Sequence, residues 1–353
     1  MKNRKNLMGM LALALVFGLT VTGCRVFDDM YKISNYLSLA VRVGRHVKGP
    51  VPLAVKINLD DNWGNLLRTI DGTGVYVNLD LSRCTMTNTE FNPGSTGSKY
   101  IVSLDLPDAV TSIAGDFNKF TSLAVIRFPA STSIGEVNPF VDCSLLTFRL
   151  KGRGDLSAIE NGRVLIRNGN ELVSYPSAKD SVTLSNITAI GRSAFNSTEL
   201  ESISLPDVIT VGIRAFSNCK NLQTVNLPAA TTVGELAFYG NTDLQTLNIP
   251  AVTIIGNNAV ANTKGENLTI TVGRRMETIG TGMFSEVGER KNVTVRTLQS
   301  EVENITAMRE AFRGRGWNEG SFTLAAQRTI GSGRNARAVS NVNNSINLTV
   351  EGY

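Results

Sequence analysis

The 353-residue chain contains few histidine and cysteine residues, which are common in metal sites and catalytic sites. It holds one histidine, His46, and four cysteines, none of them in a Cys-x-x-Cys pair. A metal site built from several histidines is therefore excluded, zinc-type cysteine spacing is absent, and histidine-based catalysis has only His46 to use. Hydrophobic residues make up 42% of the chain, which is enough for a packed core and argues against wholesale disorder. We expect no enzyme activity, no metal and no cofactor.

The N-terminus has the pattern of an export signal. Three basic residues among the first five precede an apolar run over residues 7–19, which is too short to span a bilayer comfortably. The run leads to residues 21–24, Val-Thr-Gly-Cys, which resemble a bacterial lipobox. In that class of signal the cysteine is acylated and begins the mature chain, so the resemblance implies lipidation of Cys24 and a membrane tether. An ordinary signal peptide with a coincidental cysteine is the alternative.

The positive charge of the chain comes partly from this leader. Removal of residues 1–23 takes away three basic residues and no acidic one, so 32 basic residues face 30 acidic ones and the net charge falls from +5 to +2. The sequence pI of about 9.0 is thus weak evidence for nucleic-acid binding. We expect no nucleic-acid partner for an exported, lipid-anchored chain.

A repeat of 22 residues fills the middle of the chain. Similar segments end in Leu-Pro or Ile-Pro at Leu205, Leu227 and Ile249, and an aliphatic residue, a glycine and a phenylalanine recur between them. Two looser units end at Leu106 and Phe128, each again followed by proline. A single unit cannot bury its apolar face, so we expect a stacked solenoid that needs caps.

Each repeat predicts one coil that contains a short strand. Ile203 and Leu205 alternate with Ser202 and Ser204, which gives the strand one apolar and one polar side. The proline after the strand stops ladder pairing, and the glycine permits a close backbone approach or an unusual conformation. The phenylalanine fills a part of the interior that is too wide for an aliphatic side chain.

The repeat resembles the BspA-like leucine-rich repeat family. Residues 215–222, Ala-Phe-Ser-Asn-Cys-Lys-Asn-Leu, carry the resemblance together with the Leu-Pro and Ile-Gly positions around them. It is clear over residues 180–284 and partial over 99–150. It implies a leucine-rich repeat solenoid of about 22-residue coils, with buried thiols at Cys143 and Cys219. The pattern departs near 259–268, where Val260 replaces phenylalanine and we expect a distorted coil.

The chain is predicted to have five segments. They are a lipoprotein signal peptide over 1–23, a tether over 24–50 with a helical pattern over 29–42, a small α/β N-terminal cap over 51–98, the solenoid over 99–298, and a C-terminal helix and flexible tail over 299–353. In the cap, Asp61 is predicted to cap a helix between strands at 53–59 and 75–81. The dipeptide Asn168-Gly169 predicts a hairpin near 160–176, inserted between two blocks of coils.

The outward strand positions are the candidate ligand face. They are predicted to stack in polar, nearly uncharged rows that can hydrogen-bond an extended protein partner. The residues are Ser202, Ser204, Gln223, Thr224, Asn226, Gln245, Thr246 and Asn248. The alternative is that these side chains only solvate the sheet.

A second candidate is the tripeptide Arg153-Gly154-Asp155, which resembles the integrin-binding motif of matrix proteins. It follows Gly152 in a predicted turn, which favours exposure. A chance match in a chain rich in glycine and arginine is the alternative.

The resemblance also implies a function. The BspA-like family includes bacterial surface adhesins that bind host matrix or plasma proteins such as fibronectin and fibrinogen. We therefore expect a non-enzymatic, lipid-anchored protein of the cell envelope, at the outer membrane or cell surface, with the periplasmic face as the other location. The alternative function is an envelope scaffold that binds another bacterial protein or a glycan. Because one fold hosts many functions, this step is an analogy.

Overall fold

The computed structural model describes residues 26–43, 49–135, 137–263, 267–272, 277–283, 292–297, 322–327 and 346–351. The chain divides into two compact units, the N-terminal unit (Met1–Leu165) and the C-terminal unit (Ile166–Tyr353). Within the described residues no helix is long and apolar enough to cross a membrane.

The N-terminal unit contains two α-helices, a short 3-10 helix (Glu160–Gly162) and ten strands among its described residues. The helices are α1 (Met30–Val43) and α2 (Leu59–Thr73), and the strands are β1 (Val26–Phe27), β2 (Val51–Val55), β3 (Val77–Asp80), β4 (Glu90–Phe91), β5 (Ile101–Asp105), β6 (Ser112–Ile113), β7 (Val125–Pro129), β8 (Ser133–Ile134), β9 (Thr147–Lys151) and β10 (Leu156–Ile159). A six-stranded sheet has the order β1-β2-β3-β5-β7-β9, and β4, β6 and β8 form a smaller sheet. The cap strands β2 and β3 thus belong to the same sheet as the first repeat strands.

The helix of the cap begins earlier than the sequence indicated. Its N-cap is Asn58, whose side-chain oxygen accepts a hydrogen bond from the Asp60 backbone N–H, so the prediction that Asp61 caps the helix is wrong. The preceding strand already ends at Val55, and Asn58 itself bridges Thr85, which fixes where the helix can start. Asp60 and Asp61 lie in the first turn, where carboxylates favour the positive end of the helix dipole.

Residues 26–43 differ from the tether that we expected over 24–50. β1 pairs with β2 in parallel, and α1 packs against α2. The apolar residues Ile33, Leu37 and Ala40 are buried because their spacing places them on one helix face. This part of the predicted tether is therefore an element of the folded cap.

The C-terminal unit is built from parallel strands in two sheets. Its strands are β12 (Glu171–Ser174), β13 (Lys179–Thr183), β14 (Ala189–Ile190), β15 (Glu199–Ser204), β16 (Thr210–Val211), β17 (Thr224–Asn226), β18 (Thr232–Val233), β19 (Thr246–Ile249), β20 (Ile254–Ile255), β21 (Asn267–Val272), β22 (Thr278–Ile279), β23 (Asn292–Thr297), β24 (Phe322–Gln327) and β25 (Ile346–Glu351); β11 (Val164–Arg167) contains the division between the units. The longer strands follow the order β13-β15-β17-β19-β21-β23-β25-β24, and the shorter ones the order β12-β14-β16-β18-β20-β22. A turn with positive φ at Asn168 and Gly169 connects β11 to β12, at the dipeptide from which a hairpin was predicted.

The strand register confirms the predicted solenoid. Ser202 on β15 pairs with Thr224 on β17, which pairs with Thr246 on β19, so each step advances 22 residues. The next step, to Thr269 on β21, is one residue longer, and it spans the segment where we expected distortion. Val260 is 1% exposed and takes the place that phenylalanine occupies in the preceding coils.

The interior of the coils contains a stack of aromatic rings. Phe195 and Phe216 lie 4.9 Å apart between ring centroids with an interplanar angle of 13°, and Phe216 and Phe238 lie 5.3 Å apart at 4°. All three side chains are fully buried. In these three coils one phenylalanine each thus extends a continuous core along the stack, as the repeat predicted.

The glycines after the aliphatic residues form a second column. Its members are Gly191, Gly212, Gly234, Gly256 and Gly280. A Cβ on Gly234 would lie 2.7 Å from backbone atoms of Gly212 and Ile213 in the preceding coil. The close approach of successive coils therefore requires glycine at Gly212, Gly234, Gly256 and Gly280, whereas the space at Gly191 is less tight, with the nearest atom at 3.0 Å.

Several predictions lie outside the described residues. They concern the signal peptide, Cys24, His46 and the helix predicted within 299–353. Apart from the tether, the bounds of the five predicted segments stay a prediction. Within the segment that we expected to be a C-terminal helix and flexible tail, β25 pairs with β23 and β24.

Candidate functional site

The candidate ligand face consists of two rows on the longer-strand sheet of the C-terminal unit. The hydroxyl row contains Ser181, Ser202, Thr224, Thr246 and Thr269, and the asparagine row contains Thr183, Ser204, Asn226, Asn248 and Thr271. Together they are called the polar ladder. Successive members occupy paired register positions, and adjacent strands of a sheet lie about 4.8 Å apart. The predicted rows are therefore brought together by the strand pairing.

The two rows differ in how their side chains are held. In the asparagine row, Asn248 Nδ2 donates to Asn226 Oδ1 at 2.6 Å, and Asn226 Nδ2 donates to Ser204 Oγ at 3.1 Å. In the hydroxyl row, Ser202 Oγ donates to Ser181 Oγ at 2.7 Å. A carboxamide has two donor hydrogens and an oxygen with two lone pairs, so each asparagine keeps hydrogen-bonding capacity for a partner. The internal bonds orient these groups before any ligand arrives.

The polar ladder is accessible and carries no formal charge. Thr224 is exposed, and Asn226, Thr246 and Asn248 are half-buried. Gln223 and Gln245, the two glutamines of the candidate set, are exposed next to it; their backbone groups continue the strand pairing, with Gln245 N–H donating to Gln223 O at 2.9 Å. Such a face can offer several hydrogen bonds to an extended chain, and no ion pair is needed to hold it.

The structure extends the polar ladder beyond the residues that the sequence singled out. Ser181 and Thr183 precede the predicted set, and Thr269 and Thr271 follow it. Their spacing departs from 22 because a register irregularity lies beside Ser181 and an extra residue precedes β21. The alternating Ser-Val-Thr and Thr-Ile-Thr segments were the signal that could have identified them.

The tripeptide Arg153-Gly154-Asp155 lies in the N-terminal unit, between β9 and β10, and all three residues are exposed. A Cβ on Gly154 would overlap the backbone of Ala130 and Ser131. Glycine is therefore needed here for packing alone, whatever the turn binds. The exposure that an integrin-type motif requires is present, but the glycine of the tripeptide also has a structural cause.

The cysteines of the described residues are buried and free. Cys219 Sγ donates to Phe195 O at 2.9 Å, and Cys143 Sγ contacts Phe117 O at 3.5 Å, so both thiols bond to the preceding coil. Burial raises the pKa of Cys219 to about 11 and that of Cys143 to about 12. The thiols are thus protonated packing groups, as the resemblance implied.

The described residues contain no group of three or more His, Cys, Asp or Glu side chains that could hold a metal ion. Cys84 is also buried and free, and burial raises its pKa.

Comparison with known proteins places this repeat in a wider context. A family model described as "BspA type Leucine rich repeat region" matches six copies over residues 95–163 and 177–314. Among solved structures, the pneumococcal vaccine antigen PcpA is similar with 16% identity and a TM-score of 0.48, over 74% of this chain and 71% of that chain. A leucine-rich repeat protein from Bacteroides ovatus has 17% identity and a TM-score of 0.29, over 69% of this chain and 78% of that chain. No curated protein matches the chain.

Proposed function

Because the chain belongs to the BspA-type leucine-rich repeat family, we propose that it is a non-enzymatic protein-binding module whose polar ladder contacts the partner. Stacked repeats commonly use an extended face in this way, since each coil adds an equivalent row of contacts. The observation that carries the proposal is the hydrogen-bonded order of Ser204, Asn226 and Asn248. Side chains that are already oriented lose less conformational freedom when a ligand binds.

The partner in this proposal is a host matrix or plasma protein such as fibronectin or fibrinogen. The export pattern of the N-terminus supports a location in the cell envelope, with Cys24 acylated and the chain held at the outer membrane or cell surface. A surface adhesin needs an accessible face without a large apolar patch, and the polar ladder has this property.

The contact face is tested with two variants, each of which replaces an exposed threonine by lysine. Thr224→Lys adds a long cation at an exposed position of the hydroxyl row, whereas Thr210→Lys adds it at an exposed threonine of β16 in the other sheet. Binding of the purified chain to fibronectin and fibrinogen is measured by surface plasmon resonance. We expect Thr224→Lys to weaken binding about tenfold or more because an unpaired charge would be buried in the interface, and Thr210→Lys to leave it unchanged.

Two results would contradict this assignment. Equal losses in both variants would mean that the polar ladder is not the contact face. Failure of the unmodified chain to bind any matrix or plasma protein would reject the adhesin proposal and favour an envelope scaffold.

The location is tested separately on intact cells. Protease added outside the cells should degrade the protein, and Cys24→Ser should abolish incorporation of a labelled fatty acid and release the chain from the membrane fraction. A protein that survives external protease would place its binding face away from the host.

The tripeptide turn is tested by Asp155→Glu, which keeps the charge but lengthens the side chain. Attachment of integrin-bearing cells should be lost if the turn acts as an integrin ligand. Unchanged attachment would remove that role and leave the polar ladder proposal intact.

A further inference from the structure

A basic cleft lies beside the edge strand β9 of the N-terminal unit. Its volume is about 960 Å³, within the range of clefts that hold small ligands or segments of larger ones. The lining residues come from β7 and the residue after it (Ala130), from β9 and the turn after it, and from residues 156–162. Four of them are cationic, and none is acidic: Arg127, Arg149, Lys151 and Arg153.

The positions of the cations follow from the strand pairing. Arg127 on β7 pairs in register with Arg149 on β9, and Asp105 on β5 precedes them in the same row. The fold therefore sets two guanidinium groups side by side on neighbouring strands, at the spacing of about 4.8 Å that separates strands in a sheet. Like charges at this distance repel each other unless an anion lies between them.

Part of this charge is neutralised inside the protein. Lys151 Nζ contacts Asp105 Oδ1 at 2.5 Å and Asp108 Oδ1 at 2.9 Å, and Arg127 Nη1 lies 3.8 Å from Asp105 Oδ2. Burial raises the pKa of the Asp105 carboxyl, and its contact with Lys151 opposes the rise. These contacts neutralise Lys151 and part of the charge of Arg127.

Arg149 and Arg153 are left without such neutralisation. Both are exposed, and neither has an ion-pair partner within the part of the chain that the structure describes. The guanidinium group is always charged and binds carboxylate and sulfate oxygens through two parallel hydrogen bonds. The net excess of positive charge in the basic cleft is therefore concentrated on these two side chains.

The rest of the lining narrows the class of ligand. Among the lining residues, Phe148 and Leu156 are buried and Leu150 and Ala158 are half-buried, whereas Gly152, Ser157 and Asn161 are exposed. No aromatic side chain is exposed among the lining residues, and the charged lining residues are all cationic. A surface of arginines, hydroxyl, amide and backbone groups suits a ligand rich in hydroxyl and acidic groups.

We propose that the basic cleft binds an anionic polysaccharide, with Arg149 and Arg153 contacting its sulfate or carboxylate groups. The site is distinct from the polar ladder and does not depend on the partner proposed there. It also gives Arg153 a role that needs neither Asp155 nor an integrin.

The test compares two charge-matched double variants of the full-length chain. Arg149→Gln with Arg153→Gln removes the two cations of the cleft, and Arg68→Gln with Arg83→Gln removes two exposed arginines of the same unit that do not line it. Binding is measured by isothermal titration at physiological salt with heparin, hyaluronan, neutral dextran and poly-L-glutamate. Heparin offers sulfate groups and hyaluronan offers carboxylates on a sugar. Dextran carries no charge, and poly-L-glutamate offers carboxylates on a peptide.

We expect binding of heparin or hyaluronan, a loss of about tenfold or more in affinity when both arginines of the cleft are removed, and little change in the Arg68/Arg83 variant. Binding of heparin but not hyaluronan identifies sulfate as the group recognised, and binding of both identifies carboxylate as sufficient. Equal losses in the two double variants, tighter binding of poly-L-glutamate than of either polysaccharide, or binding of none of the probes would overturn the proposal. Thr224→Lys should bind the polysaccharide normally, which separates this result from failure of the polar ladder.

Discussion

The glycines of the column lie at different distances from the neighbouring chain, so alanine substitutions can test how closely successive coils must pack. Alanine at Gly234 would place its Cβ 2.7 Å from backbone carbon and nitrogen atoms of the preceding coil, whereas at Gly191 the nearest atom is the Leu172 carbonyl oxygen at 3.0 Å. Neither glycine has a positive φ, so alanine is not strained by its backbone conformation. The substitution therefore isolates the steric cost of separating two coils.

The expected magnitude follows from two opposing terms. Overpacking costs about 1–3 kcal/mol, and we assign the upper end, about 3 kcal/mol, to Gly234 because backbone atoms cannot rotate away. Separation of the coils also stretches the 2.8 Å hydrogen bond from Gly234 N–H to Val211 O. Replacement of glycine by alanine stabilises by about 0.4–1 kcal/mol through the unfolded chain. The net loss is then about 2 kcal/mol at Gly234 and close to zero at Gly191.

Thermal unfolding followed by circular dichroism measures both variants in the full-length chain. For a unit of this size, a loss of about 2 kcal/mol lowers Tm by about 4–8 °C, so Gly234→Ala should show this shift while Gly191→Ala stays near the unmodified protein. Equal shifts in the two variants, or a higher Tm for Gly234→Ala, would refute the reasoning that coil contact requires glycine.

Three further perturbations have definite expected outcomes. Phe216→Ala should destabilise the C-terminal unit by about 3–5 kcal/mol in urea unfolding, with Phe216→Leu costing less, because a cavity opens in the ring stack. Burial raises the pKa of Cys219 to about 11 and of Cys143 to about 12 from an ordinary 9.0, so the folded chain keeps protons that the unfolded chain releases. The contribution of these thiols to folding stability is therefore complete below pH 9 and is lost as the pH rises towards 11 and 12. A thiol reagent at pH 8 should react with them only after unfolding. Fast reaction of the native protein would contradict their burial. Asn58→Ala should cost about 1 kcal/mol through loss of the helix cap, whereas Asp61→Ala should cost less; the reverse order in thermal unfolding would reject the assigned cap.

The parts of the fold that were predictable depend on side-chain pattern within a coil. The alternation around Ile203 and Leu205 and the recurrence of phenylalanine follow from burial, which acts in every coil alike, so spacing alone identified them. The N-cap was not predictable in this way, because Asn58 and Asp61 are both good capping residues. The choice between them depends on the bridge from Asn58 to Thr85, which is a tertiary contact.

The same distinction, between spacing within the repeat and tertiary contact, decides which residues of the candidate sites could be predicted. The centre of the polar ladder was visible because Asn226 and Asn248 keep the 22-residue spacing, and its ends were missed where that spacing changes. The basic cleft also had a signal, since Arg127 and Arg149 are 22 residues apart. It was missed because Arg153 reaches the same cleft from a turn, and only the folded backbone brings a turn residue to a strand edge.

The register of Ser202, Thr224 and Thr246 has a consequence for how such a protein can change in length. Deletion of one whole coil would bring Ser202 opposite Thr246 with the same ring, glycine and proline positions aligned. Duplication of a coil would insert one more coil with these positions aligned. Recombination between the DNA segments that encode neighbouring coils can therefore lengthen or shorten the chain in frame, because the packing of the core is the same in each coil. The number of coils, and with it the reach of the surface towards a partner, is a quantity that selection can adjust in single steps.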